Sequence, residues 1–261
     1  MKFPKKSLGQ NFLIDKNIIR KIINLIDVKN KDIIEIGSGK GVLADEILKH
    51  CPKSLSIIEK DFDLIKKLKI KYSKNKIIKI YSADILKFDI EKICKKNSII
   101  FGNLPYNISS QILVKILKFK NWPPKFSNLI FMFQKELGDK IIGDFSSNNY
   151  GRLSILSNYR LKIKKKFLVS PNCFFPKPKV ISMVIHFLPK SKNLFKIRNL
   201  NNLEKLTGIF FSNKRKMINK KMKKVFNENH KKYFPNLKLT LRPAEIKPEI
   251  YYKITELFEK N

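Results

Sequence analysis

Short apolar runs that alternate with helically spaced stretches constrain this chain more than any other feature. The runs fall at residues 33–36, 55–59, 77–81, 98–101 and 129–133. Stretches with helical spacing lie between them, carrying Val42, Leu43, Ile47 and Leu48, then Phe62, Ile65 and Leu68, then residues 109–119. Strands separated by helices in this way imply β-α-β units and a mostly parallel sheet. Ligands of such sheets sit beyond the carboxyl ends of the strands. Gly37, Glu59, Asp84 and Asn103 each lie at or just past the end of a run. The pattern therefore predicts that four chemistry-bearing residues share one edge of a sheet.

The flanking segments extend this reading. Asp15 can cap a helix that carries Ile18, Ile19, Ile22, Ile23 and Ile26. Helical patterns follow the fifth run at 136–142 and 153–159, and strand candidates at 164–169 and 180–187 flank a proline-rich loop at 170–179. Beyond Pro189 the chain turns polar and then helical. Leu206, Ile209, Phe210, Met217 and Ile218 suggest one apolar stripe, and Ile250, Ile254 and Leu257 another. A boundary between 188 and 200 is expected, giving a catalytic domain over 1–190 and a small helical domain over 191–261. No internal repeat is visible.

Composition narrows the partners. Fifty-six Lys and Arg against 21 Asp and Glu give a formal charge of +35. A chain so charged is drawn to polyanions, and release of counterions from phosphates drives the binding. Lysine, isoleucine and asparagine are abundant together while arginine is rare, as AT-rich codons produce, but codon bias does not account for the scarcity of acids. No clean basic amphipathic helix stands at either end, so nucleic acid is favoured over a membrane. No apolar run approaches the roughly 20 residues of a membrane span. A basic start without an apolar segment behind it gives no secretory signal. Three scattered cysteines and three scattered histidines fit a reduced, cytoplasmic protein without a metal site.

The motifs carry the chemistry. Glu35-Ile36-Gly37-Ser38-Gly39-Lys40-Gly41 is a strand-loop-helix glycine turn whose backbone can approach a ligand closely. Alone it also suits a plain tight turn. A dinucleotide fingerprint fits less well, because Val42 stands where its third glycine belongs. A carboxylate at Glu59 can accept both hydroxyls of a ribose, whether of a nicotinamide cofactor or of S-adenosylmethionine. An acid at Asp84 can accept from an adenine amine, although aspartate also favours turns. Asn103-Leu104-Pro105-Tyr106 is the most specific. An adenine N6 is a poor nucleophile because its lone pair is delocalised into the ring. The Asn103 side-chain oxygen and the neighbouring Leu104 carbonyl can each accept one amino hydrogen, which frees that lone pair by positioning and electrostatics. Tyr106 offers a face for the target base. The aromatic-basic loop Phe174-Phe175-Pro176-Lys177-Pro178-Lys179 can supply a second face, with Phe174 as the stacking ring. A core aromatic in a stiff connection would read the same way. Leu8-Gly9-Gln10-Asn11-Phe12-Leu13 is too polar at its centre for a core strand and can fold over a cofactor as a lid.

Taken together, these motifs resemble the KsgA (RsmA) family of ribosomal RNA adenine dimethyltransferases. The resemblance places Asn11, Leu13, Gly37, Gly39, Glu59, Asp84, Ile85 and Asn103 around S-adenosylmethionine. It assigns catalysis to Asn103, Leu104 and Tyr106, and base stacking to Tyr106 and Phe174. Phe133-Gln134-Lys135-Glu136, Tyr150-Gly151-Arg152-Leu153-Ser154, Phe211-Ser212-Asn213-Lys214-Arg215-Lys216 and Arg242-Pro243-Ala244-Glu245 extend the match over nearly the whole chain. Ser38 stands where the family often has proline and Ala44 where it often has threonine. The basic cluster is reduced to Lys214-Arg215-Lys216, and lysine lacks the planar fork of arginine. The resemblance implies an α/β, Rossmann-like class I methyltransferase sheet of seven strands, the last antiparallel, with a C-terminal helical domain. It also implies a monomeric, cytoplasmic enzyme of ribosome biogenesis that dimethylates two adjacent adenosines in the 3′-terminal hairpin of small-subunit ribosomal RNA, within an assembling subunit. Three alternatives share parts of the pattern. An antibiotic-resistance methyltransferase of large-subunit RNA usually lacks the Arg242-Pro243-Ala244-Glu245 ending. A non-catalytic ribosome-assembly or transcription factor has no need to keep Glu59, Asp84 and Asn103 together. A DNA adenine methyltransferase more typically has aspartate where this chain has Asn103.

Overall fold

Isoleucine-rich runs become strands, and the stretches between them become helices. The structure is a computed structural model and describes residues 10–191, 194–226 and 230–260. In chain order the elements begin with β1 (Phe12–Leu13), α1 (Lys16–Ile23), β2 (Asp32–Ile36), α2 (Val42–Lys49), β3 (Ser54–Glu59), α3 (Phe62–Lys71), β4 (Ile78–Ser82), α4 (Ile90–Ile93), β5 (Ser98–Asn103), α5 (Ser109–Leu117) and β6 (Phe126–Gln134). They continue with α6 (Lys135–Ile142), α7 (Arg152–Arg160), β7 (Leu161–Val169), β8 (Phe174–Phe175), β9 (Ser182–Pro189), α8 (Leu200–Phe211), α9 (Asn219–Phe226), α10 (His230–Tyr233) and α11 (Pro248–Phe258).

Seven strands form one sheet in the order β4-β3-β2-β5-β6-β9-β7. Strands β2 to β6 are mutually parallel, and β9 runs antiparallel to β6. This is the class I methyltransferase sheet that the resemblance implies. The central strands read as largely apolar runs because both of their faces are covered. Ile100 and Phe101 of β5, and Leu129 and Phe131 of β6, are completely buried. Each such side chain contributes about 1.5–3 kcal/mol relative to exposure. Asp15 starts α1 as expected, its carboxylate accepting from Asn17 N at 2.8 Å and Ile18 N at 3.0 Å. Asp61 caps α3 in the same way, accepting from Asp63 N at 2.9 Å.

The chain divides into two compact units. One comprises the described residues up to Gly138 together with Lys162–Pro189, and the other comprises Asp139–Leu161 together with the described residues from Lys190 onward. Residues 139–161 thus group with the C-terminal helices, across the boundary that the sequence pattern places near 190. The physical reason lies inside the second unit, where α7 packs on α8 and α11. The Tyr150 hydroxyl donates to Ile246 O at 2.8 Å, and that of Tyr252 donates to Ile155 O at 3.0 Å. These are pairings between residues nearly a hundred positions apart, which local patterns do not announce. The expected single stripe from Leu206 to Ile218 is also two pieces. α8 ends at Phe211 and α9 begins at Asn219, because the polar run Ser212-Asn213-Lys214-Arg215-Lys216 offers no apolar side chain to continue a buried face.

A second small sheet decides which way two neighbouring aromatic rings point. β1 and β8 pair antiparallel, with Phe12 opposite Phe175 and Leu13 opposite Phe174. Facing residues of such a pair point the same way. Leu13 and Phe174 point into the core and are 1% and 3% exposed, whereas Phe175 points outward and is 51% exposed. Phe174 is thus packed beside Leu13 in this structure, because the register of β1 with β8 turns it inward. Phe174→Ala is expected to lower unfolding stability by about 3–5 kcal/mol, measured by urea denaturation. Unchanged stability in that variant would favour the stacking role for Phe174.

Candidate active site

The parallel register brings the carboxyl ends of β2, β3, β4 and β5 to one edge, and a cavity of about 190 Å³ opens there. Asn11, Leu13, Gly37, Gly39, Glu59, Asp84, Ile85, Asn103, Leu104 and Tyr106 all lie on its wall. Ten of the eleven site residues expected from the sequence thus share one chamber. Only Phe174 is elsewhere.

Backbone geometry shapes the floor. Gly39 has φ +59°, and a side chain there would meet the Phe12 ring at 3.1 Å. Both the left-handed backbone and the close ring require glycine. The Glu59 carboxylate fastens this loop to the end of β3. It accepts from Gly39 N at 3.0 Å through one oxygen, and from Lys60 N at 2.8 Å and Asp61 N at 2.9 Å through the other. Asp84 accepts from Leu86 N at 2.9 Å and pairs with the Lys60 ammonium at 2.8 Å. That ammonium, with the Leu86 amide, holds the Asp84 carboxyl below the usual carboxylate range. Asp84 therefore faces the cavity ionised, as an acceptor.

The residues of the N-terminal arm that are described cross the same edge. Gln10 donates from Nε2 to Asp61 Oδ2 at 2.9 Å, and Ile14 N donates to Cys173 O at 2.8 Å. Gln10, Asn11, Phe12 and Leu13 all line the cavity, and the Lys40 ammonium lies 4.9 Å from the centroid of the Phe12 ring. Leu8 and Gly9 of the expected lid lie outside the described residues.

Asn103 is oriented by this arm. Its Nδ2 donates to Asn11 O at 3.1 Å. An amide whose nitrogen is committed presents its oxygen on the other side, so Oδ1 is the atom left for an incoming donor. The orientation follows from the hydrogen bond, because the Asn11 carbonyl demands a donor. Tyr106 is fixed by a 2.6 Å hydrogen bond between its hydroxyl and Ser182 Oγ, and its carbonyl accepts from Ser109 Oγ at 3.1 Å. Burial pushes its phenol pKa up, which keeps the ring neutral beside a base. An amide acceptor and an aromatic face converging on one chamber suit an aromatic amine.

Comparison with known proteins agrees with this chemistry. A family model described as "Ribosomal RNA adenine dimethylase" matches residues 2–260. The chain belongs to the ribosomal RNA adenine dimethylase family. It is 46% identical over 260 residues to "Ribosomal RNA small subunit methyltransferase A" of Pelagibacter ubique (strain HTCC1062), covering 98% of this chain and 97% of that one. It is 40% identical over 265 residues to the protein of the same name from Malacoplasma penetrans (strain HF-2), covering 97% and 91%. A dimethyladenosine transferase structure from Plasmodium falciparum superposes with a TM-score of 0.75 at 24% identity, covering 95% of this chain and 98% of that one. The structure of the 23S rRNA methyltransferase ErmE gives 0.69 at 22%, covering 95% and 100%. These two structures share the fold. The enzyme is an S-adenosylmethionine-dependent methyltransferase of ribosomal RNA adenine.

The cavity wall of this family member fits that cofactor by a feature independent of the motifs. Glu35 Oε2 and Ser38 Oγ are buried together on the wall, and neither has a hydrogen-bond partner outside this pair among the described residues. A buried polar atom left so costs roughly 1–3 kcal/mol. A cationic ligand bearing N–H donors, as the amino-acid end of S-adenosylmethionine does, satisfies both. Neither residue was assigned a role from the sequence. The available signal was a lone acid inside the apolar run of a central strand, where Glu35 is 1% exposed.

Burial pushes the Glu35 carboxyl from 4.5 up to about 8, opposed by a hydrogen bond from the neighbouring Ser38 and by the charge of Lys71, and reinforced by the charges of Glu59 and Asp45. A carboxyl whose pKa rises on folding holds its proton more tightly in the native state. Its stabilising contribution is complete below pH 4.5 and drains away as pH climbs through about 8. The ligand-free enzyme is therefore expected to lose stability across this window, on the order of 1–4 kcal/mol. Glu35→Gln is expected to flatten that loss in thermal melts recorded across the same range. Parallel pH profiles for the two proteins would contradict this account of Glu35.

Proposed function

We propose that the enzyme transfers two methyl groups to N6 of each of two adjacent adenosines in the 3′-terminal hairpin of small-subunit ribosomal RNA. The observation that carries this reading is Asn103, whose amide nitrogen is held by the arm while its oxygen is left for a substrate. The near-full-length relatives at 46% and 40% identity, both named as small-subunit methyltransferases, favour this RNA over large-subunit RNA. The likeness to ErmE, at 22% identity, extends to the fold alone. The reading includes a monomeric, cytoplasmic enzyme that meets its RNA inside an assembling small subunit. No helix among the described residues is long and apolar enough to cross a membrane.

In this reading Glu59 accepts the ribose hydroxyls of the cofactor, and Asp84 accepts from its adenine amine. Ile85 and Leu13 close on the adenine, Gly37 and Gly39 let the backbone approach, and Asn11 bridges the arm to Asn103. S-adenosylmethionine supplies a methyl group on a positively charged sulfur. In the first transfer Asn103 Oδ1 and the Leu104 carbonyl accept the two amino hydrogens of the target adenine, which turns the nitrogen lone pair outward. In the second, the singly methylated amine has one hydrogen left to donate, and each transfer releases one proton to solvent. Tyr106 stacks on the base and keeps it in plane. No strong base is needed before attack, because the amine becomes acidic only once it carries the new bond. The work is positioning and electrostatics.

Asn103→Ala is expected to abolish methyl incorporation, while S-adenosylmethionine affinity by calorimetry stays within a few fold. Methylation at the parent rate would refute the mechanism. Incubation with labelled cofactor and unmethylated small subunits, followed by mass spectrometric mapping, is expected to find two neighbouring dimethylated adenosines in the 3′-terminal hairpin. Label confined to large-subunit RNA would overturn the substrate assignment.

A further inference from the structure

Between Asp144 and Glu204 the chain has no acidic side chain. Six lysines of the first unit fall in this stretch: Lys162, Lys164, Lys165 and Lys166 on β7, and Lys177 and Lys179 in the loop after β8. All six are exposed. β7 is an edge strand of the seven-stranded sheet, and its side chains alternate between two faces. On one face Ile163 and Phe167 are half-buried and Val169 is buried. On the other, Lys162, Lys164, Lys166 and Leu168 are all exposed, with no apolar residue covered. A strand with one whole face left to solvent, bearing three cations and an exposed leucine, is an unpartnered surface of a single charge sign.

That surface leads to the cavity. β7 ends at Val169, and four residues later Cys173 O accepts from Ile14 N of the arm at 2.8 Å. The next residues are β8, where Phe175 is paired with Phe12 on the cavity wall. Leu168, Phe175, Val180 and Ile181 are 51%, 51%, 40% and 43% exposed. The path thus runs from three cations, past apolar groups that include one outward aromatic ring, to the mouth of the site.

We infer that the outer face of β7 and the loop carrying Lys177 and Lys179 form an RNA-docking track on the catalytic unit itself. The inference rests on the ribosomal RNA reading above. The lysines contact phosphates of the strand that flanks the target adenosine, and Phe175 receives an unstacked neighbouring base. Lysine is suited to a role of this kind, as a point charge that follows a backbone without reading sequence. An aromatic face beside cations is the arrangement that holds single-stranded nucleic acid. The competing explanation is that edge-strand lysines serve only to prevent strand pairing.

The test combines Lys162→Gln, Lys164→Gln and Lys166→Gln in one full-length variant, with a Lys→Arg version of the same three positions as its control. Binding of a small-subunit RNA fragment carrying the 3′-terminal hairpin is measured without cofactor over a range of salt. Each lost phosphate contact lowers the slope of log K against log salt by about 0.7–0.9. The glutamine variant is expected to show a slope shallower by about 2–3, a raised KM for RNA and an unchanged kcat at saturation. The arginine variant is expected to retain the parent slope. An unchanged slope in the glutamine variant, with melts matching the parent, would overturn the proposal and leave edge protection as the explanation. Binding needs no turnover, so an RNA-binding protein that transferred no methyl group would defeat the functional reading without touching this one.

Discussion

Parallel strand register is the constraint on which this molecule depends. Ile36 of β2 lies opposite Ile58 of β3 and Gly102 of β5, and Glu59 lies opposite Ser82 of β4. Once these pairings form, the residues that follow each strand have no choice but to meet. Gly37, Glu59, Asp84 and Asn103 are far apart in the chain and adjacent in space for this reason alone. The Glu59 carboxylate then locks the arrangement, since it takes three backbone N–H groups from two different loops. An anion held by backbone donors fixes the loops without depending on any other side chain.

The same carboxyl edge gathers several like charges, and the fold answers each differently. Asp84 is compensated by Lys60. Glu59 is satisfied by amides. Glu35 has only the neighbouring Ser38 hydroxyl and the distant charge of Lys71, and neither offsets its burial. Sites that bind cations commonly keep such a frustrated acid, because its cost in the empty protein is recovered when the ligand arrives. A buried group of this kind links the stability of the protein to the state of its site.

Much of this was legible in the sequence, and the failures have physical causes. Strand positions were readable because apolar runs of four or five residues alternate with longer stretches of helical spacing. The cavity residues were readable because parallel sheets bind at one end. Phe174 and Phe175 could not be told apart, because they are neighbours with opposite faces and only the pairing of β8 with β1 decides which is inside. Residues 139–161 carried helical spacing but no sign of their allegiance, which rests on distant partners such as Tyr252 and Ile246. Met217 and Ile218 fell in register with the α8 stripe by coincidence of spacing, and the polar run before them separates the helices. Glu35 was visible as an oddity within its run, but its complete burial is a three-dimensional fact.

An exposed sheet margin invites a second chain to extend it. Here the terminal strand β7 carries Lys162, Lys164, Lys165 and Lys166, so two copies meeting edge to edge would place like charges in contact. The repulsion discourages self-association of a margin that also exposes Leu168. It weakens as ionic strength rises. The colloidal behaviour of this protein is thus tied to its ionic surroundings through the outermost ribbon of its own core.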